Sequence, residues 1–404
     1  MRIALAAHAA EDGGYAETNR AGDDHLRERT FSFDGRRRLG AVRSESFDVK
    51  RRALLVVLAG WLALLGLAAI QSVLAGRDVL TSMLMEIGLH ARYLIAAPLL
   101  VLAVAWCVPR LNAIEHYFID SGIVSERDHG HFDQAIAATH NLLQSRTAKA
   151  IAIALAYVVV LATTLSHAPD QLPYWARPVA GVPRYSLAGW WHMLVSLPLL
   201  LVLIFGWFWR LAMWARLLSQ ISRLELRLLA SHPDRCAGLS FLGQSVRAFA
   251  IAALALAVII AGRFAQLVLT GGGLPTPDLG FNVAALLAIA VLFVAPLLVF
   301  TPTLIRARQQ GVLAYDALAQ QVGYNFERRH LNRGADQIAP EAPDVSAVAD
   351  LSSVLANVHA MRFIPLDLKD LALMAVALLL PFIPAVLLAF PINVIWAQIK
   401  SLLL

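Results

Sequence analysis

Residues 50–76 read KRRALLVVLAGWLALLGLAAIQSVLAG. Three basic residues, Lys50, Arg51 and Arg52, give way to 24 residues, Ala53 to Gly76, without a charged side chain. A helix over such a stretch rises about 36 Å at 1.5 Å per residue, enough to cross a hydrocarbon core of about 30 Å. Six further apolar stretches follow: Ala91 to Val108, Ala150 to Leu165, Leu187 to Trp209, Phe249 to Leu269, Val283 to Thr301 and Leu371 to Trp396. The last is interrupted by Pro381, Pro384 and Pro391. Composition agrees: the 404 residues are 58% hydrophobic and 15% charged, whereas a soluble domain carries about 25% charged residues. The expectation is an all-α, polytopic helical membrane protein with seven transmembrane helices.

The basic residues set its orientation. Eleven Lys and Arg precede the first stretch, and the later gaps hold two, four, two, six, none and seven, counting Arg92 at the mouth of the second stretch with the gap before it. Lys and Arg concentrate in cytoplasmic segments, so the alternation puts the N-terminus in the cytoplasm. Arg outnumbers Lys 30 to 4, the bias of a GC-rich genome, which suggests a bacterial inner membrane. The net charge of +6 fits internal segments facing anionic lipid and needs no nucleic acid. Residues 1–47 are Gly-, Asp- and Arg-rich without apolar periodicity and read as a disordered cytoplasmic tail.

An internal repeat runs through the second, fourth and sixth stretches. Pro98, Pro198 and Pro296 each open a Pro-Leu-Leu-aliphatic run, and Arg110, Arg210 and Arg308 follow twelve residues later. The first six helices then form three hairpins, with a proline near mid-bilayer on each returning arm. Proline removes a helical hydrogen bond and kinks the helix. The freed carbonyl must find a partner or line a wet cavity, so the three prolines are candidate lining for a solute pathway.

The internal gaps 109–149, 210–248 and 302–370 are long. Leu211, Trp214, Leu218, Ile221, Leu224 and Leu228 recur at helical spacing, which predicts a stalk continuing the fourth helix. Val345 to Val358, led by Pro343 and Asp344, predicts a second internal helix, and His131 to Lys149 a third. Together they predict a cytoplasmic helical extension bundle.

Candidate functional residues fall in two places. At the outer rim, Glu86, His90, Arg263 and Gln266 make a candidate polar cluster. Arg263 lies inside the fifth stretch, and its bland reading is a side chain snorkelling to the interface. At the inner side, His232, Asp234 and Arg235 form a motif read here as a turn that closes the stalk and docks the bundle. His116, His129, His131 and His140 gather with carboxylates at spacings that fit no structural zinc pattern, so a solvated segment is expected and no metal or other cofactor is assigned. Cys107 and Cys236 match no disulfide or metal spacing. Trp190, Trp191, Trp207, Trp209 and Trp214 read as interfacial belts. No catalytic or nucleotide-binding motif occurs.

The run His232 to Leu242, HPDRCAGLSFL, with Asp350 to Pro365 and the Pro-rich end, resembles a family of uncharacterised bacterial multi-pass inner-membrane proteins. That resemblance implies glycine where this chain has Ala237, and it implies no activity. Two function classes follow from the residues: a transporter or channel subunit for a small solute or ion, or a membrane-anchored scaffold or sensor. The expected partners are the lipid bilayer and either further copies of the chain or a cytoplasmic protein bound through the stalks.

Overall fold

The structure, a computed structural model, describes residues 48–75, 78–166, 172–177, 185–271, 276–330 and 342–389. By compactness the chain divides into residues 1–50, of which only 48–50 are described, and residues 51–404. The expected tail and the segment from Pro391 onward lie outside the described residues.

The protein is all-α and polytopic. Among the described residues, six helices are long and apolar enough to cross a membrane: α1 (Asp48–Leu74), α3 (Ile87–Asp120), α5 (Arg146–Ser166), α6 (Leu187–Ile221), α7 (Ser240–Gly271) and α8 (Leu279–Arg328). The pair α10 (Leu368–Leu379) and α11 (Phe382–Leu388), bent by 45°, makes a seventh if it crosses as one. Shorter helices are α2 (Val79–Leu84), α4 (His129–Gln144) and α9 (Ala342–His359). The helix ends bearing Arg110, Arg210 and Arg308 are here termed the basic end, and the opposite ends the far end.

The hairpins are not equivalent. Helix α7 is the core of the molecule: 72% of its apolar window is buried, against 11–39% in the other five helices. It packs on α3, α8, α10 and α11. Its buried face is built from alanines such as Ala252, Ala253, Ala255 and Ala257. Small residues let helix backbones approach where lipid gives no hydrophobic drive for association. One close approach is at Gly262, where a Cβ would collide with Ala91 of α3.

The returning arms of the first two hairpins share a further irregularity. A π-helical turn, Ala91–Ala96, precedes Pro98, and another, His192–Ser196, precedes Pro198. Widening the turn moves the carbonyl four residues back away from the proline ring that would otherwise clash with it. The third arm uses a 3₁₀ turn, Ala295–Phe300, around Pro296. The carbonyl freed by Pro198 belongs to Leu194, and it accepts the Tyr157 hydroxyl of α5 at 3.1 Å. Helix α1 has its own π turn, Leu58–Leu62, within which Ala59 and Gly60 carbonyls accept Trp191 Nε1 at 2.9 Å and Ser196 Oγ at 3.0 Å. Trp207 Nε1 reaches the Leu100 carbonyl at 2.9 Å. Trp191 and Trp207 are therefore inter-helix donors rather than members of an interfacial belt.

The predicted stalk of the fourth helix continues past Trp209 but is shorter than expected. Helix α6 stops at Ile221, a turn follows at 222–224, and residues 225–229 run extended, with Leu224, Leu226 and Leu228 half-buried and their odd-numbered neighbours exposed. Leu226 bridges to Val124, and Arg227 N–H reaches the Ile123 carbonyl at 2.8 Å. Those leucines fit both a helical and a two-residue period, and pairing with the 123–124 segment favours the second. The long extension belongs instead to α8, and α9 packs along it through Arg308 Nη2 to the His359 carbonyl (3.2 Å) and His359 Nε2 to Asp316 (2.9 Å). The expected His131–Lys149 helix breaks at Ser145, between α4 and α5, and His129 and His131 stand on the first turn of α4.

Candidate functional site

The two π turns face a common cavity at the far end, about 390 Å³ in volume. Its lining includes Glu86, Arg92, Thr163, Trp175, Tyr185 and His192. Arg92 and His192 stand on the two π turns, each six residues before its proline. The buried Tyr93 hydroxyl and His192 Nδ1 share a hydrogen bond of 3.2 Å. The His192 ring also meets the Trp175 indole edge-on at 5.5 Å. Trp175 itself is 3% exposed, and among the described residues its buried indole N–H has no acceptor. Arg92 forms no ion pair with a described residue, although charge inside an apolar helix is expensive and commonly functional. The cavity offers a donor from Arg92, an imidazole from His192, and a carboxylate at Glu86. That set suits a small polar solute bearing an acceptor-rich or anionic group.

The outer cluster expected from sequence is dispersed around this cavity. Glu86 lines it and also a neighbouring cavity that contains Gln266, Asp78 and Tyr174. Gln266 Oε1 accepts the Ile87 N–H at 2.8 Å, which ties α7 to the start of α3. His90 is a latch: Nδ1 accepts from Trp61 Nε1 at 2.8 Å, and Nε2 lies 3.0 Å from the Leu84 carbonyl. Because the indole can only donate, the proton sits on Nε2. Arg263 is exposed at the helix surface with its guanidinium 5.7 Å from the Phe281 ring centre.

The three prolines do not gather on one cavity. Pro198 is buried, Pro98 is half-buried, and Pro296 is a wall of an apolar cleft between α6 and α8.

At the basic end, HPDRCAGLSFL folds into a clasp. Asp234 collects the backbone N–H groups of Cys236 (2.8 Å), Gly238 (3.1 Å) and Ser240 (3.1 Å). Burial alone would raise its pKa, but these donors and His232, 2.9 Å away, outweigh burial and leave it lowered. Arg235 and Ala237 adopt positive φ, at 56° and 54°, conformations that favour glycine or asparagine. The second segment, 361–367, closes on the first. Arg362 N–H reaches the Arg235 carbonyl at 2.7 Å, Arg362 Nη2 the Asp234 carbonyl at 3.0 Å, and the same guanidinium pairs with Asp367 at 2.7 Å. Arg247 and Asp370 form an ion pair of 2.6 Å beside Gly243, where a Cβ would fall on the Asp370 carboxylate. His232, Asp234 and Arg235 therefore belong to a turn, not to the end of a stalk helix. Burial pushes the Cys236 thiol up to about 11, against the pull of Arg362.

Among the described residues no cluster of His, Cys, Asp and Glu could hold a metal ion. Within the first long basic-end gap, His140 meets the buried Glu115 at 3.3 Å and His131 meets Asp128 at 3.5 Å.

Searches of family models, of characterised proteins and of solved structures found no match to the chain.

Proposed function

We propose that the protein is a multi-spanning membrane protein of transporter type, which binds a small acceptor-rich or anionic solute in the far-end cavity. What supports the reading is the conjunction of Arg92 and His192 on one cavity, each carried on a π turn. π turns are rare and recur at functional sites. Repeated helices with an irregular turn at one depth are the architecture in which transporters hold their solutes. The basic-residue pattern supports a bacterial inner membrane with the N-terminus cytoplasmic, so the cavity faces outward. The membrane-anchored scaffold is the second reading. It is favoured by the clasp, which holds the basic-end segments in one fixed surface.

The test uses purified protein in detergent and in proteoliposomes. Thermal shift with acetate, succinate, glutamate and inorganic phosphate as probes, followed by uptake of the best of them, is expected to give saturable binding and transport. Arg92→Gln and His192→Ala are expected to weaken that binding at least tenfold while circular dichroism stays that of the wild type. Binding that survives both substitutions unchanged overturns the assignment of the site. Binding without uptake leaves a sensor and overturns transport.

A further inference from the structure

At the basic end, α6 and α8 run side by side and leave a groove of two halves. The first half is an apolar cleft of about 430 Å³ lined by Phe208, Leu211, Ala212, Ala215, Pro296 and Val299, among others. Val299 also lines the second half, a cavity of about 830 Å³ that adds Arg223, Thr303, Arg306 and Gln310. Advancing along α6 into residues 222–230, and along α8 from Leu292 to Tyr315, the walls change in step from wholly apolar to basic and polar. Among the described residues no carboxylate lines either half. Neither Arg223 nor Arg306 forms an ion pair with a described residue, and Arg306 is occupied only within its own helix, by the Pro302 carbonyl at 3.3 Å.

We infer that this groove is a binding site for one anionic phospholipid, with its phosphate at Arg223 and Arg306 and an acyl chain in the cleft walled by Ala212, Ala215 and Pro296. A soluble anion would use the arginines alone and leave the cleft unexplained. A neutral lipid would fill the cleft and leave two arginines facing no charge. The three alanine and proline positions open the gap between the helices that a larger pair of side chains would fill. Basic pockets between membrane helices recognise anionic headgroups by this combination of charge and adjoining apolar wall.

The experiment delipidates the purified full-length protein in mild detergent and titrates it with phosphatidylglycerol, phosphatidylcholine or inorganic phosphate. Bound lipid is read by native mass spectrometry and the unfolding temperature. Phosphatidylglycerol is expected to bind and stabilise, with phosphatidylcholine weaker and phosphate without effect. Arg223→Gln and Arg306→Gln are each expected to weaken phosphatidylglycerol by about fivefold. Ala215→Leu, which narrows the cleft without touching a charge, is expected to weaken both lipids. The lipid-free unfolding temperature of each variant reports whether it folds. Equal stabilisation by inorganic phosphate overturns the proposal, as does phosphatidylglycerol affinity unchanged in a folded arginine variant and in Ala215→Leu.

Discussion

Asp234 shows how a single carboxylate can organise a loop. It accepts three backbone N–H groups at 2.8–3.1 Å and holds Arg235 and Ala237 in left-handed backbone that neither residue favours. Asp234→Ala leaves those donors without an acceptor and is expected to cost about 2 kcal/mol. The sign of the pH dependence follows from the lowered pKa. The folded carboxylate is harder to protonate than the unfolded one, so its contribution is complete above the ordinary Asp value of about 3.9 and fades as pH falls below it. The difference in unfolding temperature between wild type and Asp234→Ala should narrow as pH falls below about 4. At this scale the turn at 232–235 was legible in the sequence. Arg362 as its partner, and the Arg247–Asp370 pair beside it, were not, because contacts between segments more than a hundred residues apart leave no local pattern.

The element scale belongs to the proline-bearing arms. The Leu194 carbonyl, abandoned by Pro198, is met by the Tyr157 hydroxyl across the helix pair. Tyr157→Phe should therefore destabilise the protein by about 1–2 kcal/mol, the cost of an unsatisfied carbonyl. In a Pro198→Ala background, where residue 198 regains an N–H for that carbonyl, the same change should cost little. The difference, measured as a double-mutant cycle of unfolding free energies, isolates the compensation. The repeat was legible from the prolines and from the arginines twelve residues beyond them. The sixth residue before each proline was the more telling position: it is Arg92, His192 and Ala290, polar in the two arms that form the cavity and apolar in the third. The early end of the stalk has an equally local origin, since leucines at 224, 226 and 228 satisfy two periods and only a neighbouring extended segment selects between them.

For the whole molecule, hydropathy was sufficient to find six helices, although α3 and α6 run about twelve residues and α8 about twenty-seven beyond the apolar stretches that marked them. It did not rank them: α8 has the higher mean hydropathy, 3.0 against 2.2, yet α7 is the central helix. Alanine content is what separates them, because small side chains mark a face meant for other helices rather than for lipid. Orientation is checked by single cysteines in a background lacking Cys107 and Cys236. A cysteine at exposed Tyr174, on the far end, should react with an impermeant maleimide on intact cells, and one at exposed Arg127 only after permeabilisation. The reverse pattern would invert the topology.

The burial of α7 also bears on how the chain is made. Helix α7 is followed in the chain by α8, α10 and α11, all of which it packs against, and the clasp needs Arg362 and Asp367. When α7 leaves the ribosome its partners on one side do not yet exist. Its alanine face must wait in lipid or in the insertion machinery until some hundred further residues have been synthesised. A chain truncated before the clasp would keep every earlier span and still lack a finished centre, which makes the last quarter of the sequence the step that commits the molecule to its native form.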